Sequence, residues 1–334
     1  MTHSSAPAWR EIYSGGSQVA EERQFDQLID RMLHIQRNHQ KKSGRPKADR
    51  TLHAKQILGV NNAVLQVRSD LPPELACGHM QAGQSWPAMV RFSNASGAHG
   101  SDRQADMRGV AISLSLPGGQ RHDVLMTSFP VSHVRNAQQF VRFAEIAAGP
   151  RAWLLPRLLL AFGPAETWRM VGNLRKAVRP SASLALERYW TRGALLWDQA
   201  GPVRLRLSPL EPGAAAEPAP DGPDALREEL ARRLSAEDVR FELAAQRFVD
   251  ERRTPVEDGV SGWDERDAPF VPIATLHVPR QELDSAEAQA MQASVQATAF
   301  NPWNAPDAFR PLGNINRIRR RVYDASARVW QSPT

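Results

Sequence analysis

Four short strand-like segments constrain the fold of this chain more than any other feature of its sequence. They run over residues 57–67, 88–92, 108–116 and 123–127. In the third, Val110, Ile112 and Leu114 alternate with other residues, which is typical of a strand with one buried face. Glycine and asparagine are frequent between the segments, as in 94–97 and 117–119. Short strands joined by tight turns predict an antiparallel sheet that curls towards a barrel.

The rest of the chain mixes helical and strand patterns. Helical periodicity predicts helices over 18–40, 136–149, 153–162, 165–178, 182–189, 224–234, 285–297 and 315–329, and alternation predicts strands over 203–207, 238–250 and 271–278. We therefore predict an α+β fold, an antiparallel β-barrel core with flanking α-helices. Residues 1–44 are expected to form an N-terminal segment and helix, and 45–330 one domain. Within that domain, residues 211–223 are rich in proline and alanine and predict a loop.

The number of cysteines and the hydropathy of the chain indicate the compartment in which we expect it. Its single cysteine, Cys77, excludes an intrachain disulfide and any multi-cysteine zinc or iron–sulfur site. The longest apolar stretch, 152–161, is interrupted by Pro156 and Arg157, which argues against a transmembrane segment. The first ten residues lack the apolar core of a secretory signal. We therefore expect a cytoplasmic location.

The balance of charges bears on the partners of the chain. Lysine and arginine number 42 against 36 aspartates and glutamates, for a net charge of +6. The densest basic clusters, at 41–47 and 317–321, contain no aromatic residue that could stack on bases, so we predict no nucleic-acid partner. Buried arginines can instead hold an anionic ligand inside a protein. The sequence leaves peripheral membrane contact and a homo-oligomer open.

Three separated groups of polar residues carry the functional signal. In chain order they are Arg50 with His53 and Lys55; Arg91 with Ser93, followed by Asp102, Asp106, Arg108 and Gly109; and Arg319 with Tyr323. In this order and spacing the groups resemble the distal, core and proximal segments of the haem catalase superfamily, and the short catalase-related haem peroxidases in particular. The resemblance covers roughly residues 45–145 and 236–330, and is weak over 150–235.

The resemblance implies one haem b group with iron as the metal. Tyr323 corresponds to the iron ligand of the family, and Arg319 precedes it by one helical turn on the same face. A nearby guanidinium favours the phenolate form that binds iron. Arg50 and Arg91 correspond to the residues that pair with the haem propionates, and Phe140 to the aromatic ring that stacks on the porphyrin.

The resemblance also implies catalytic roles. His53 corresponds to the distal group that moves a proton between the two oxygens of a peroxide. Ser93 corresponds to the serine that hydrogen-bonds this imidazole and fixes its tautomer. Thr127 stands where the family has an asparagine, and Met126 stands in place of a glycine. We expect the threonine to donate one hydrogen bond and the methionine to narrow the pocket, and both changes to weaken the orientation of a second peroxide.

These residues predict a catalase-like haem hydroperoxidase. It would cleave the O–O bond of hydrogen peroxide or an organic hydroperoxide heterolytically and oxidise an external electron donor. Two alternatives stay open. One is a small true catalase that dismutates hydrogen peroxide, and the other is a haem- or lipid-binding protein without fast turnover.

Overall fold

A closed antiparallel barrel forms the centre of the protein. The computed structural model describes residues 9–43, 50–97, 99–210 and 222–331. Its strands are β1 (Gln56–Val67), β2 (Ser85–Asn94), β3 (Arg108–Ser115), β4 (Arg121–Thr127), β5 (Tyr189–Trp190), β6 (Leu195–Leu196), β7 (Pro202–Pro209), β8 (Val239–Arg247) and β9 (Phe270–Val278). They pair in the order β5-β4-β3-β2-β1-β9-β8-β7, and β5 also pairs with β7. Eight strands therefore form a closed ring, and β6 pairs with the first two residues of β7. The predicted barrel fold is confirmed.

Alternation along the strands separates a barrel interior from an outer face. Val90, Phe92, Ile112 and Phe241 are each at most 2% exposed and belong to the largest apolar cluster. Because successive side chains of a strand point to opposite faces, the odd-numbered neighbours in β2 face outwards. The outer face of β2, β3 and β4 is the one that concerns function.

Six α-helices flank the barrel in the described parts of the chain. They are α1 (Gln18–Ser43), α2 (Ala137–Ala147), α3 (Leu154–Ala177), α4 (Ala225–Ala236), α5 (Ala286–Ala297) and α6 (Asn314–Gln331). α1, α2 and α6 pack together through a second apolar cluster that includes Phe25, Met32, Val141 and Ile318. Asn136 begins α2, because its side chain accepts a hydrogen bond from Gln139 N at 3.0 Å. None of the described helices combines the length and apolarity needed to cross a membrane.

Residues 182–189 do not form the helix that their periodicity predicts. Ser183 Oγ accepts a hydrogen bond from Ala185 N at 3.2 Å, a local bond that competes with helical pairing. The phenol of Tyr189 donates to Leu184 O at 2.9 Å, and Tyr189 itself begins β5. The prediction was wrong because a tertiary strand pairing overrides the local pattern. Strands β5 and β6 were also not predicted, since two residues are too few to show alternation.

The other predicted elements agree with the structure to within a few residues. The helices predicted over 153–162 and 165–178 form α3, which is interrupted at Gly163, where φ is +75°. Pro164 follows, and it cannot donate a helical hydrogen bond. Parts of three predicted segments, 1–8, 44–49 and 211–221, lie outside the described residues.

Candidate active site

A cavity lies between the outer face of β2, β3 and β4 and the helices α1, α2 and α6. Its volume is about 210 Å³, counted as the space that the centre of a water-sized sphere can occupy. The residues assigned from the sequence all line this cavity: Arg50, His53, Arg91, Ser93, Thr127, Phe140, Arg319 and Tyr323. The fold therefore gathers at one place side chains that come from both ends of the chain.

His53 lies in the loop before β1 and is held from both its backbone and its ring. Its N–H donates to Ala95 O at 3.1 Å, and its Nδ1 lies 3.0 Å from Ser93 Oγ. Its φ of +54° is unusual for a residue other than glycine. Such a backbone conformation persists only where the surrounding contacts impose it. The ring is thus fixed against the barrel rather than left to rotate.

A row of three residues on adjacent strands explains how the imidazole ring of His53 approaches the sheet so closely. Ser93, Gly109 and Thr127 are direct neighbours on β2, β3 and β4. A Cβ atom at Gly109 would lie 2.5 Å from His53 Nδ1 and 2.9 Å from Ser93 Oγ. Only glycine leaves room for the imidazole over the middle of this row.

Burial and surrounding charges keep His53 neutral. Burial is the largest cause, followed by the guanidiniums of Arg91, Arg319, Arg192 and Arg50, and together they lower the pKa of His53 to about 3. At neutral pH the imidazole therefore has a free lone pair and can accept a proton.

Thr127 and Met126 lie at the end of β4, and both line the cavity. The Thr127 hydroxyl donates to Phe129 O at 3.1 Å, so its proton is already used by the backbone. In this geometry it presents only lone pairs to a ligand, and donation to a bound peroxide would require the hydroxyl to turn away from Phe129 O. Met126 lines the cavity, but it is 2% exposed and belongs to the barrel core.

The opposite wall of the cavity is one face of α6. Arg319 Nη2 donates to the phenol oxygen of Tyr323 at 3.0 Å, as the spacing of four residues allows. Arg319 Nη1 donates to Asn316 Oδ1 at 2.9 Å. Arg317, on another side of α6, contacts Glu21 at 2.5 Å and Glu257 at 2.8 Å. These ion pairs tie α6 to α1 and to the loop after β8, which fixes the position of the tyrosine.

Arg50 and Arg91 share an anchor at the end of α5. Arg50 Nη2 donates to Gln296 O at 2.6 Å and to Thr298 O at 2.9 Å. Arg91 Nη2 donates to Gln296 Oε1 at 3.0 Å and to His53 O at 2.9 Å. Burial lowers the pKa of Arg50 to about 10 and that of Arg91 to about 9, and both remain charged at neutral pH. Arg50 Nε is buried and has no partner among the described residues.

α2 contributes an aromatic and aliphatic side to the cavity. Phe140, Ala137 and Val141 all line it. The Phe140 ring lies 6.3 Å from the ring of His133, measured between centroids. This side offers apolar contact rather than hydrogen bonds.

Arg192 also lines the cavity, and the sequence analysis did not identify it. It follows β5 by two residues, and burial, then the charge of Arg319, lowers its pKa to about 10. Its Nη2 lies 3.5 Å from His133 Nδ1, and its Nε is buried without a partner among the described residues. Arg192 lies in the part of the chain where the resemblance is weak, so no motif marked it.

The charges of the cavity fit haem, the group that the resemblance implies. Four arginines line it, and no described lining residue carries a carboxylate. Such a cavity suits a ligand that brings its own negative charges. A phenol beside a guanidinium, partnerless guanidinium nitrogens and an apolar wall match the needs of a haem with a tyrosine ligand and two propionates.

Comparison with known proteins tests the resemblance that the sequence suggests. No protein-family model matches the chain. A catalase-related peroxidase of Mycolicibacterium paratuberculosis is 29% identical over 295 residues, which cover 84% of this chain and 88% of that protein. The resemblance to the catalase superfamily is confirmed.

Solved structures of catalases share the fold at low sequence identity. A fungal catalase superposes with a TM-score of 0.69 and 16% identity, over 89% of this chain and 62% of its own. A bacterial catalase superposes with a TM-score of 0.64 and 18% identity, over 97% of this chain and 64% of its own length. Catalase A from Saccharomyces cerevisiae superposes with a TM-score of 0.69 and 16% identity, over 98% of this chain and 68% of its own length. This chain thus spans about two thirds of the length of these catalases.

Proposed function

We propose that this chain is a haem-dependent oxidoreductase that reduces hydrogen peroxide or an organic hydroperoxide at the expense of an external electron donor. The observation that carries the proposal is the pairing, across one cavity, of a neutral His53 held by Ser93 with a Tyr323 held by Arg319. The fold and the catalase-related relative agree with this class of activity.

The residues that would hold haem b are the ones that line the cavity. Tyr323 would ligate the iron, Arg50 and Arg91 would meet the propionates, and Phe140 would pack on the porphyrin. When bound, haem supplies the two electrons that break the O–O bond and recovers them from the donor. The protein supplies the position of the substrate and the movement of protons.

His53 is the proton carrier in this proposal. Because Ser93 occupies Nδ1, the other ring nitrogen is the one available to a hydroperoxide in the cavity. That nitrogen accepts the hydroperoxide proton and returns it to the other oxygen, which leaves as water or an alcohol. The net reaction consumes one hydroperoxide, two electrons and two protons, and yields one alcohol and one water for an organic hydroperoxide, or two waters for hydrogen peroxide.

Thr127 favours donor oxidation over dismutation. Dismutation requires the site to orient a second peroxide, which then serves as the electron source. A hydroxyl whose proton is bonded to Phe129 O cannot donate to that peroxide at the same time. The small true catalase is therefore the second candidate, and a haem-binding protein without turnover is the third.

One set of assays on the purified, haem-loaded protein separates these functions. Oxygen release from hydrogen peroxide is recorded with an electrode, and oxidation of a chromogenic donor is followed optically with hydrogen peroxide and with an organic hydroperoxide. Donor oxidation that exceeds oxygen release supports the proposed function. Oxygen release at the rate of full-length catalases indicates a true catalase. If neither activity accompanies full haem loading, the chain is a binding protein.

A further inference from the structure

Exposed apolar side chains are concentrated on and just before α3. Five of the nine large exposed apolar residues in the described parts of the chain lie between 153 and 168. They are Trp153, Leu155, Leu159, Leu160 and Trp168, and Leu160 is 90% exposed. Isolated exposed leucines are ordinary, but a concentration of this kind marks an interaction surface.

Burial shows which residues of α3 are turned away from the rest of the protein. In its first half, Leu158 is buried while Leu155, Leu159 and Leu160 are exposed, so the apolar residues cover most of the circumference. In its second half, Trp168 shares its side of the helix with Arg175, two turns further on, and Lys176 lies beside it. An amphipathic helix of a soluble domain would turn its apolar side inwards, and α3 does not.

The exposed charges of α3 itself are all positive. The exposed charged residues of α3 are Arg157, Arg175 and Lys176. Glu166 is the one acidic residue of α3, and it is paired with Arg169 at 2.6 Å and with Arg135 at 3.2 Å. Two copies of so basic a surface would repel each other. An anionic partner with an apolar interior would match both the charges and the leucines.

The buried side of α3 is bonded to the segment that lines the cavity. Asn173 Nδ2 donates to Ser132 O at 3.1 Å, and Arg169 Nη2 donates to His133 O at 3.2 Å. Gln139, on α2, donates to Glu166 Oε1 at 3.1 Å. No residue of α3 lines the cavity itself, so a partner on the exposed residues of α3 lies outside it.

We propose that α3 docks this protein on the surface of a bilayer that contains anionic lipids. Leu155, Leu159 and Leu160 enter the boundary between headgroups and acyl chains, and Trp153 and Trp168 lie at the level of the headgroups. Arg157, Arg175 and Lys176 contact lipid phosphates. This is the arrangement of a peripheral helix that lies in the membrane plane without crossing it. The proposal does not depend on haem or on catalysis.

Vesicle sedimentation tests the docking with the full-length protein. Binding is compared on phosphatidylcholine vesicles with and without phosphatidylglycerol, at low and high salt. We expect binding to require phosphatidylglycerol and to weaken with salt. Leu155→Ser/Leu160→Ser should reduce the partition coefficient at least about tenfold, and Arg175→Glu/Lys176→Glu should do the same. The matched controls are Val19→Ser, an exposed apolar residue on α1, and Arg252→Glu/Arg280→Glu, the same charge change on other loops.

Each other outcome contradicts the proposal. Sedimentation velocity in the absence of lipid shows whether the wild type is a dimer. A dimer that Leu160→Ser dissociates, without vesicle binding, would make α3 a contact between subunits. Equal binding to neutral and anionic vesicles, or equal losses in the α3 variants and their controls, would remove the specific role of α3. Circular dichroism confirms that each exposed-residue variant is folded.

Discussion

The two walls of the cavity are held in different ways. The barrel wall is built from backbone, because Ser93, Gly109 and Thr127 are adjacent only through the register of three strands. The wall on α6 is built from side chains, because Arg319 and Tyr323 meet through the spacing of one helix. α6 is then fixed from outside by the ion pairs of Arg317.

This difference predicts two kinds of sensitivity. On the barrel wall a single added methyl group disturbs the geometry, because close-packed backbone cannot move aside. On α6 the helix persists when a side chain is changed, so a substitution removes one chemical group and little else. The following substitutions test this contrast.

The largest effect is expected from Tyr323→Phe on α6. Removing the phenol takes away the proposed iron ligand while the helix keeps its packing. The purified variant should therefore lose most of its haem, or lose the tyrosinate charge-transfer band in its optical spectrum. Tyr13→Phe is the control, since Tyr13 contacts Arg317 rather than the cavity. A wild-type spectrum in Tyr323→Phe would rule out ligation by this residue.

His53→Ala should slow the reaction with peroxide at least about 100-fold, since a placed proton carrier contributes a factor of that order. Haem should stay bound, because His53 belongs to the barrel wall and not to the ligand wall. Stopped-flow mixing with peroxide measures the rate. A rate within threefold of the wild type would exclude His53 from the mechanism.

Gly109→Ala should slow the same reaction about tenfold or more, because a small displacement of a catalytic group is costly. The new Cβ would lie 2.5 Å from His53 Nδ1, so the ring must move. Gly172→Ala, in α3, is the matched control, since nothing lies within 4 Å of its added Cβ. If both variants react at the wild-type rate, the barrel wall is less rigid than its packing indicates.

Thr127→Asn should raise oxygen release from hydrogen peroxide several-fold relative to donor oxidation. The amide supplies a donor in addition to any bond with Phe129 O. Met126 is best left unchanged, because it is packed in the barrel core and its replacement by glycine would leave a cavity there. The ratio of the two activities is the measurement. An unchanged ratio would show that Thr127 does not limit dismutation.

The smallest effect on the rate of the peroxide reaction is expected from lowering the pH. Burial and the neighbouring arginines lower the pKa of His53 to about 3, so the ring remains neutral as the pH falls through 6.5, the ordinary value of histidine. The rate of the peroxide reaction should therefore be nearly constant from neutral pH down to about pH 5. Stopped-flow measurements at constant ionic strength test this. A loss of rate centred near pH 6.5 would mean that His53 is less well buried than its contacts indicate.

The contacts on α6 could largely be predicted from the sequence, whereas those on the barrel wall could be predicted much less. The spacing of Arg319 and Tyr323 determines their contact once the segment is helical. The row of Ser93, Gly109 and Thr127 depends on strand register, which is a property of the whole sheet. Resemblance to a family supplied those three positions, whereas alternation alone supplied only the strands.

Two features needed the tertiary structure. Arg192 is separated from every recognised motif, and only the closure of the barrel brings it near Arg319. The direction of the Thr127 hydroxyl depends on the backbone two residues later, at Phe129 O, and no pattern of residue types encodes it. Both were missed because they depend on the three-dimensional arrangement rather than on composition or spacing.

The two-residue strand β5 links closure of the barrel to completion of the cavity. Trp190 pairs with Thr127 on one side and with Arg206 on the other, which completes the ring of strands. The same closure places Arg192, two residues later, in the cavity. An intermediate in which the ring is open would keep the row beside His53, because β2, β3 and β4 pair without β5, but it would lack Arg192 among the cations of the cavity. A ligand that binds only the closed ring would stabilise the native state by mass action, so its retention would report on the folding of the whole barrel.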